Sequence, residues 1–266
     1  NVISKMLKKY PIDAGKLQIN NKDLFSPCTI FKKSDSKKSS RVFKRKKLIY
    51  RKNIDEIEFK WCLLKNKSIL VTGGFGFIGK PLCEKLLEKN CNITIFDKSK
   101  KVPNQFQSLK NLKIITGNTQ ERNLERKIRG DFDYIFHFGA PSSIVQFKNK
   151  EFGKLGDSVL GFLNIMKLAE KLSVNKVVYP SSGSVYGYSK PPQKEKSILM
   201  TTNLYGVGKI GCENIASVYN KIDSIGLRIF AGYGPDENHK KEYASPLSLF
   251  YKSISKNKSP LVFGNG

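Results

Sequence analysis

A tyrosine and a lysine four residues apart carry the clearest chemical signal in this chain. The segment Tyr205-Gly206-Val207-Gly208-Lys209 puts a phenol and an ammonium one helical turn apart, so both side chains face the same way on a helix. A free tyrosine has a pKa of about 10 and is a poor base at neutral pH, but a nearby ammonium favours the phenolate. The spacing therefore predicts a tyrosine that exchanges a proton with a substrate hydroxyl group.

A glycine-rich turn lies far upstream, directly after the apolar run Ser68–Val71. Its sequence, TGGFGFIG, spaces three glycines three residues apart, at Gly73, Gly76 and Gly79. Without a Cβ in the way, backbone N–H groups of such a turn, and the N-terminus of the helix that follows, can meet a pyrophosphate. Together with Tyr205, the turn predicts a nicotinamide enzyme whose acid/base is a tyrosine.

Asp97 indicates which nicotinamide cofactor the turn accepts. It ends the next apolar run, 21 residues after Gly76. A carboxylate at this point accepts hydrogen bonds from the ribose hydroxyls and repels a 2′-phosphate, which favours NAD over NADP. The lysines that follow could pair with a 2′-phosphate and leave NADP as the alternative; they are Lys98, Lys100 and Lys101.

Strands and helices alternate from residue 66 onward. Apolar runs predict strands at 68–71, 92–97, 112–116, 134–137, 176–179, 224–230 and 261–263. Helices are predicted at 77–88, 121–128, 159–172, 203–220 and 245–256. This alternation predicts an α/β fold, a doubly wound parallel sheet of the Rossmann type with helices on both faces.

Composition divides the chain into two parts. The 266 residues are 39% apolar and carry a net charge of +26. Residues 1–62 hold several runs of lysine and arginine and are expected to form a basic, poorly ordered or irregular extension. Residues 63–266 are expected to form the NAD-binding domain and the beginning of a substrate-binding lobe. The chain starts without methionine and stops abruptly at Gly266, so we expect a fragment with a truncated lobe.

Charge, cysteines and histidines limit the other classes of function. No segment is apolar for long enough to span a bilayer. The basic extension could bind nucleic acid, but lysine spread over every solvated face is the simpler interpretation. The five cysteines have no C-x-x-C spacing, which predicts reduced thiols in a cytoplasmic protein and neither a zinc site nor a disulfide framework. Two histidines argue against a histidine-based metal site or a Ser-His-Asp triad.

Five segments, in this order, resemble the extended short-chain dehydrogenase/reductases, the NAD-dependent epimerase/dehydratase family of sugar-nucleotide enzymes. They are Thr72–Gly79, His137–Ala140, Pro180–Gly187, Tyr205–Lys209 and Leu227–Pro235. The resemblance implies that NAD is bound by Gly73, Gly76, Phe77, Ile78, Gly79, Asp97, Asn118, Phe138, Gly139, Ala140, Ser181, Tyr205, Lys209 and Phe230.

The same resemblance implies a catalytic trio of Ser182, Tyr205 and Lys209. Tyr205 would remove a sugar hydroxyl proton, Ser182 would share a hydrogen bond with the reacting oxygen, and Lys209 would also bind the nicotinamide ribose. Ser181 and Ser184 are close enough in sequence to be alternatives to Ser182.

Two residues after Ser182 bear on the reaction subtype. Dehydratases and decarboxylases of the family carry acidic residues there, whereas this chain has Gly183 and Ser184. Their absence favours an epimerase that resembles UDP-glucose 4-epimerase and acts on a nucleotide sugar. A reductase or dehydratase of the same fold is one alternative, and a non-catalytic protein that binds NAD or nucleic acid is another.

The resemblance also implies a homodimer formed through helices 159–172 and 203–220. Three positions depart from the family pattern: Ala231 and Ser158 stand where asparagine is usual, and Asn118 where aspartate is usual. Ala231 leaves the identity of the sugar open, because the asparagine of the family touches the sugar nucleotide there.

Overall fold

The computed structural model describes residues 18–19, 31–32, 62–234, 237 and 244–262. The chain divides into two compact units, Phe59–Ile229 and a second that joins Asn1–Glu58 to Phe230–Gly266. The predicted basic extension lies mostly outside the described residues. Its described part is an antiparallel pair of two-residue strands, β1 (Gln18–Ile19) and β2 (Phe31–Lys32). The predicted division at residue 62 therefore stays a prediction.

A six-stranded parallel sheet forms the centre of the larger unit. Its strands are β3 (Ser68–Thr72), β4 (Asn92–Asp97), β5 (Leu112–Thr116), β6 (Tyr134–His137), β7 (Lys176–Ser182) and β8 (Asp223–Ile229). They lie in the order β5-β4-β3-β6-β7-β8, so the direction of winding reverses between β3 and β6. A crevice outside the carboxyl ends of the strands is expected at such a reversal, and open α/β sheets bind ligands there. The predicted Rossmann-type fold is confirmed.

Helices cover both faces of this sheet. They are α1 (Gly79–Glu88), α2 (Glu151–Lys171) and α3 (Leu204–Val218). Successive strand residues point to opposite faces, so Leu70 packs in one core with Phe162 of α2, while its neighbour Val71 packs in the other with Leu86 of α1. Burial on both faces explains why the central strands read as continuous apolar runs. Among the helices of the described residues, none has the length and apolarity that a membrane crossing requires.

Close packing between α2 and α3 positions the face of α3 that carries Tyr205 and Lys209. A Cβ added at Gly208 would lie 3.0 Å from the Cβ of Ser158, and one at Gly211 would lie 3.1 Å from Val159. The helix begins after Asn203, whose side-chain oxygen accepts a 2.9 Å hydrogen bond from the Gly206 N–H. Such a cap contributes about 1 kcal/mol and helps to define where the helix starts.

Several element boundaries differ from the predicted ones. The predicted helix at 121–128 is a 3₁₀ turn, Leu124–Arg126, preceded by Asn123 in the left-handed region. Helix α2 begins at Glu151, eight residues before the predicted start at 159. The prediction missed this beginning because two glycines in the first turns interrupt the apolar periodicity. Residues 261–262 do not form the predicted strand, and Phe263 lies outside the described residues.

Strand β7 is longer than the predicted strand at 176–179, and it continues through Pro180 to Ser182. Its pairing with β6 ends at Val178, whereas its pairing with β8 runs on to the Ser182–Ile229 pair. Pro180 has no N–H to donate and is tolerated where a strand has a neighbour on one side only. The last residues of β7 therefore extend past the end of β6.

The smaller unit contributes one described helix, α4 (Pro246–Ser255). Ser245 caps this helix by accepting a 3.2 Å hydrogen bond from the Ser248 N–H. The buried Glu237 accepts a 2.9 Å hydrogen bond from the Ser245 N–H and contacts both serine hydroxyls. The carboxylate thus satisfies the first turn of the helix.

Candidate active site

The glycine turn follows β3 and is pressed against the backbone that follows β6. Gly73 has a φ of +68°, in the region that favours glycine, and its N–H donates to the Phe96 carbonyl at 2.9 Å. A Cβ on Gly73 would lie 2.5 Å from the Gly139 nitrogen, and one on Gly79 would lie 2.1 Å from the Gly73 oxygen. Only a chain without these side-chain atoms can fold this tightly.

Helix α1 starts at this turn without a side-chain cap. Its N-cap residue, Ile78, offers no hydrogen-bonding side chain, and Phe77 and Ile78 are half-buried in the approach to the helix. The N-terminus of a helix favours negative charge, so the free backbone N–H groups of the turn and the dipole of α1 can both bind a phosphate group. These features fit the pyrophosphate of a dinucleotide.

We expect the substitution Gly73→Ala to weaken NAD binding by at least about tenfold, because the turn must open to admit the methyl group. The forced left-handed conformation should also lower the free energy of unfolding by about 1–3 kcal/mol. Isothermal titration with NAD and denaturant unfolding measure the two effects. Gly153→Ala is the matched control: no atom lies within 4 Å of its added Cβ, and the exposed helix position should gain about 0.5–1 kcal/mol. Unchanged NAD affinity in Gly73→Ala would contradict the assignment.

Asp97 ends β4 beside the glycine turn. Its Oδ2 accepts a 3.0 Å hydrogen bond from the Phe75 N–H, and its Oδ1 accepts a 2.9 Å hydrogen bond from the Ser99 N–H. The two amides hold the half-buried carboxylate in one orientation at the carboxyl end of the sheet. The side chain therefore lies beside the glycine turn, and its contact with a ribose stays a prediction.

The lysine after Asp97 lies within electrostatic reach of another carboxylate. Burial alone would raise the pKa of Asp157, but hydrogen bonds from Lys154 and Gln120, together with the charges of Lys154 and Lys98, bring it below its usual range. Asp157 accepts from Gln120 at 2.5 Å and from Lys154 at 2.6 Å. The charge of Lys98 therefore acts on a carboxylate that is already paired with Lys154.

The remaining predicted cofactor residues of the larger unit follow β5 and β6. Asn118 lies after β5, and its Oδ1 accepts a 3.0 Å hydrogen bond from the Gln120 N–H. Phe138, Gly139 and Ala140 are half-buried after β6, where the Gly139 N–H donates to the Thr72 hydroxyl at 3.1 Å. This bond ties the end of β6 to the end of β3. Phe230 belongs to the smaller unit, so its predicted role stays a prediction.

His137 completes this junction as a neutral side chain. It is fully buried, and its Nδ1 lies 2.7 Å from the Thr72 hydroxyl. Burial, with the charge of Lys209 as a second cause, lowers its pKa to about 3. Among the described residues, its Nε2 is the buried side-chain nitrogen that lacks a hydrogen-bond partner.

Ser182, Tyr205 and Lys209 are brought together between β7 and α3. Ser182 is the last residue of β7, and its Oγ accepts a 3.1 Å hydrogen bond from the Ser184 N–H. Tyr205 is 8% exposed, and the Ser182 side chain is near enough to lower the pKa of its phenol. The Lys209 ammonium is 1% exposed and lies over the Tyr205 ring, 5.4 Å from its centre. The predicted spacing on one helical face is therefore realised.

The local environment sets the protonation of these groups. Burial raises the pKa of Tyr205, and the hydrogen bond with Ser182 offsets only part of that rise. Burial lowers the pKa of Lys209 to about 8, although the neighbouring Cys212 acts in the opposite direction. Desolvation thus disfavours the charged form of both groups, and the phenolate is less favoured than the spacing alone implies.

The two serines at the end of β7, Ser181 and Ser182, have different surroundings. The Ser181 hydroxyl is buried and donates to Glu213 at 2.5 Å, on the side of the strand away from Ser182. Of Ser181 and Ser182, it is Ser182 that acts on the pKa of Tyr205. Sequence reasoning did not identify Glu213, although its position four residues after Lys209 puts it on the same helical face.

Comparison with known proteins supports this interpretation of the fold. Residues 69–266 match the model of the NAD dependent epimerase/dehydratase family. A putative UDP-glucose 4-epimerase of Methanocaldococcus jannaschii is 30% identical over 204 residues, which are 74% of this chain and 66% of that protein. An ADP-L-glycero-D-manno-heptose-6-epimerase of Pseudomonas paraeruginosa is 28% identical over 74% of this chain and 61% of its own length. The chain therefore spans less than two thirds of the length of these curated relatives.

A solved structure gives the same result. The UDP-N-acetylglucosamine 4-epimerase from Methanobrevibacter ruminantium M1, in complex with UDP-N-acetylmuramic acid, superimposes with a TM-score of 0.69 at 27% identity. The match covers 76% of this chain and 67% of that one. The predicted cofactor, NAD, is confirmed, because the family is described as NAD dependent. With most of its length matched to the family model, this chain belongs to the NAD dependent epimerase/dehydratase family of enzymes.

Proposed function

We propose that this protein is an NAD-dependent epimerase of a sugar nucleotide, with Ser182, Tyr205 and Lys209 as its catalytic residues. The observation that carries the proposal is the buried Tyr205, which is covered on its ring face by the Lys209 ammonium and whose pKa is lowered in part by the neighbouring Ser182 hydroxyl. Groups that exchange protons in catalysis are often buried, with pKa values displaced by their surroundings. This cluster lies at the carboxyl end of β7, and the glycine turn follows the carboxyl end of β3 in the same parallel sheet.

The three side chains have different roles in the reaction at one sugar carbon. Tyr205 takes the hydroxyl proton during oxidation and returns it during reduction, and Ser182 donates a hydrogen bond to the same oxygen. Lys209 stabilises the phenolate from the face of the ring and binds the nicotinamide ribose. The chemistry that bound NAD supplies is the acceptance of a hydride from this carbon and its return to the opposite face.

The cofactor is proposed to lie across the strand ends around β3. The glycine turn would contact the pyrophosphate and Asp97 the adenosine ribose, and the carboxylate of Asp97 supports NAD over NADP because it would repel a 2′-phosphate. The proposed NAD-contacting residues are Gly73, Gly76, Phe77, Ile78, Gly79, Asp97, Asn118, Phe138, Gly139, Ala140, Ser181, Tyr205, Lys209 and Phe230. Because the Ser181 hydroxyl donates to Glu213, we propose that Ser181 contacts the cofactor through its backbone.

Epimerisation is favoured over elimination of water because the turn after Ser182 lacks an acid. Gly183–Val185 form a 3₁₀ turn without a carboxylate, so no side chain of that turn could move a proton on the sugar ring. Several similar proteins are named epimerases, and a decarboxylase acting on a UDP-sugar acid is 27% identical. A UDP-hexose or its N-acetyl form is the substrate we propose.

Conversion of nucleotide sugars tests this function directly. The protein is incubated with NAD and UDP-glucose, UDP-galactose or their N-acetyl forms, and the sugar configuration is followed by proton NMR. We expect each of a pair of C4 epimers to convert into the other without net formation of NADH. Net NADH formation or consumption would indicate a reductase instead. No conversion of any of these sugars would contradict the specific substrate class.

We also propose that the protein is a homodimer formed through α2 and α3. Large apolar side chains on these helices remain exposed in the single chain; they are Phe152, Leu160, Leu204, Val207 and Val218. Burial of such side chains between two copies would remove apolar surface from water.

The substitution Leu160→Glu is expected to weaken the dimer at least about 100-fold, because it would bury an unpaired charge in each copy. Light scattering after size exclusion measures the mass. Ile198→Glu, at a residue that is 79% exposed outside these helices, is the control. A monomeric wild-type protein would contradict the proposal.

We further propose a cytoplasmic location. Three cysteines of the described residues are buried free thiols, Cys83, Cys91 and Cys212. Reduced thiols are usual in the cytoplasm. Fractionation of the source cells would contradict this location if the protein were recovered outside the cytoplasmic fraction.

A further inference from the structure

Glu213 is a charged residue beside the catalytic cluster that the proposed chemistry does not use. It lies on α3 four residues after Lys209 and eight after Tyr205, on the same helical face. Its carboxylate is 17% exposed and accepts three hydrogen bonds. They come from Ser181 Oγ at 2.5 Å, Arg228 Nε at 2.9 Å and Arg228 Nη2 at 2.7 Å.

Arg228 extends this contact to the segment that follows the catalytic serine. Its Nη1 donates to the Tyr186 hydroxyl at 3.0 Å and to the Glu195 carbonyl at 2.8 Å. Its guanidinium also lies over the Tyr186 ring, 5.1 Å from the centre. A single side chain of β8 therefore holds α3 and two points of the segment between β7 and α3.

The ion pair is ionised under ordinary conditions. Burial alone would raise the pKa of Glu213, but hydrogen bonds from Arg228 and Ser181 bring it below its usual range. The same bond with Glu213 raises the pKa of Arg228. A two-point Arg–carboxylate contact of this kind is strong and directional, and replacing Arg with Lys does not preserve its geometry.

We propose that the Glu213–Arg228 pair positions Ser182 against Tyr205, an inference that rests on the proposed function. Ser181 and Ser182 are neighbours in a strand, so their side chains point to opposite faces. When Glu213 holds the Ser181 hydroxyl, the end of β7 is fixed against α3, and the backbone that carries Ser182 is fixed with it. Because Glu213 and Tyr205 share one helix, the same contact sets the position of the phenol relative to the serine.

The pair is a positioning device, which makes it different from a general stabiliser of the fold. A stabiliser would change melting temperature, NAD affinity and turnover together. A positioning pair changes the alignment of Ser182 and Tyr205, and a misplacement of about 1 Å in a catalytic group can cost about 100-fold in rate. The effect is therefore expected in kcat, with little change in KM or in NAD affinity.

Three variants of the full chain test this. Glu213→Gln keeps the shape of the side chain but removes its charge, Arg228→Lys removes the two-point contact, and Ser181→Ala removes only the serine hydroxyl. We expect Glu213→Gln and Arg228→Lys to lower kcat about 100-fold, with NAD affinity within about twofold of the wild type. Ser181→Ala should show a smaller loss of kcat. Because this variant keeps the Glu213–Arg228 ion pair, it still tests the proposal if the other two variants fold poorly.

Asp133→Asn is the matched control. Asp133 also accepts a 2.9 Å hydrogen bond from a lysine, Lys67, and another from a backbone N–H, that of Ser68. This contact lies at the amino ends of β3 and β6, away from the cluster. It should lower the melting temperature and leave kcat unchanged.

A second readout works without a sugar substrate. Ultraviolet difference titration of the wild type against Tyr205→Phe isolates the phenol of Tyr205, and the same difference is recorded in the Glu213→Gln background. Because the Ser182 hydrogen bond lowers the pKa of Tyr205, loss of the alignment should raise the midpoint. If the wild type turns over no nucleotide sugar, the proposed function fails and this titration alone decides the inference. An unchanged midpoint, or kcat and melting temperature falling in step in all variants, would overturn it.

Discussion

Replacing Tyr205 by phenylalanine is expected to lower kcat by about 10²–10⁴-fold, the usual contribution of a positioned acid/base. Only the hydroxyl is lost. The ring keeps its edge contact with Phe147, at 6.0 Å between centres, and the Lys209 ammonium stays over its face. NAD affinity should therefore change by less than about tenfold, since a hydrogen bond contributes about 0.5–1.5 kcal/mol.

Stopped sugar conversion with retained NAD binding is the expected pattern for this variant. Conversion is followed by NMR and binding by titration calorimetry on the same preparation. Tyr134→Phe is the matched control, because this tyrosine starts β6 at the opposite end of the sheet and should keep full turnover. Wild-type turnover in Tyr205→Phe would exclude the acid/base role, whatever the substrate.

Replacing Lys209 by methionine is expected to abolish most turnover and to make the protein more stable. The ammonium is 1% exposed, and burial lowers its pKa from 10.5 to about 8. A lysine whose pKa is lower in the folded state costs stability wherever it is charged, so the full cost applies below about pH 8 and disappears as the pH rises to about 10.5. The methionine variant should gain about 3 kcal/mol at neutral pH, because each pKa unit corresponds to about 1.4 kcal/mol.

Denaturant unfolding at neutral pH and at about pH 10 measures the gain in the free energy of unfolding and its expected decrease as the pH rises. Lys171→Met is the control: Lys171 is 63% exposed, and its ion pair with Glu125 should contribute at most about 1 kcal/mol. A Lys209→Met protein that is less stable than the wild type at neutral pH would contradict the cost assigned to the buried charge. Opposite changes in activity and stability are typical of residues retained for catalysis.

The central strands could be predicted from the sequence, whereas some helices could not. Strands of a covered parallel sheet leave short apolar runs, so β4, β5 and β6 have their predicted boundaries, although β5 lies at the edge of the sheet and is only partly buried. The beginning of α2 was hidden because Gly153 and Gly156 carry no side chain that could mark a buried face. The predicted helix at 121–128 is a 3₁₀ turn, because Asn123 adopts a left-handed conformation that an α-helix cannot continue.

The site was predictable where its residues are close in sequence. Tyr205 and Lys209 are recognised by their helical spacing alone. The partner of Glu213 was not predictable, because Arg228 reaches it only through the pairing of β7 with β8. The raised pKa of Tyr205 was also hidden, since it follows from burial, which spacing does not reveal.

The unequal lengths of β6 and β7 have a consequence for how this site can change. Pairing between them stops at Val178, and β7 continues to Ser182 with β8 alone. On the β6 side, residues 180–182 of β7 thus have no paired strand, and Pro180 has no N–H through which another strand could extend the ladder. Substitutions beside Ser182 change side chains and leave this unpaired edge in place. An insertion that lengthened β6 would cover the edge, so new specificity can arise from exchange of side chains more readily than from added residues here.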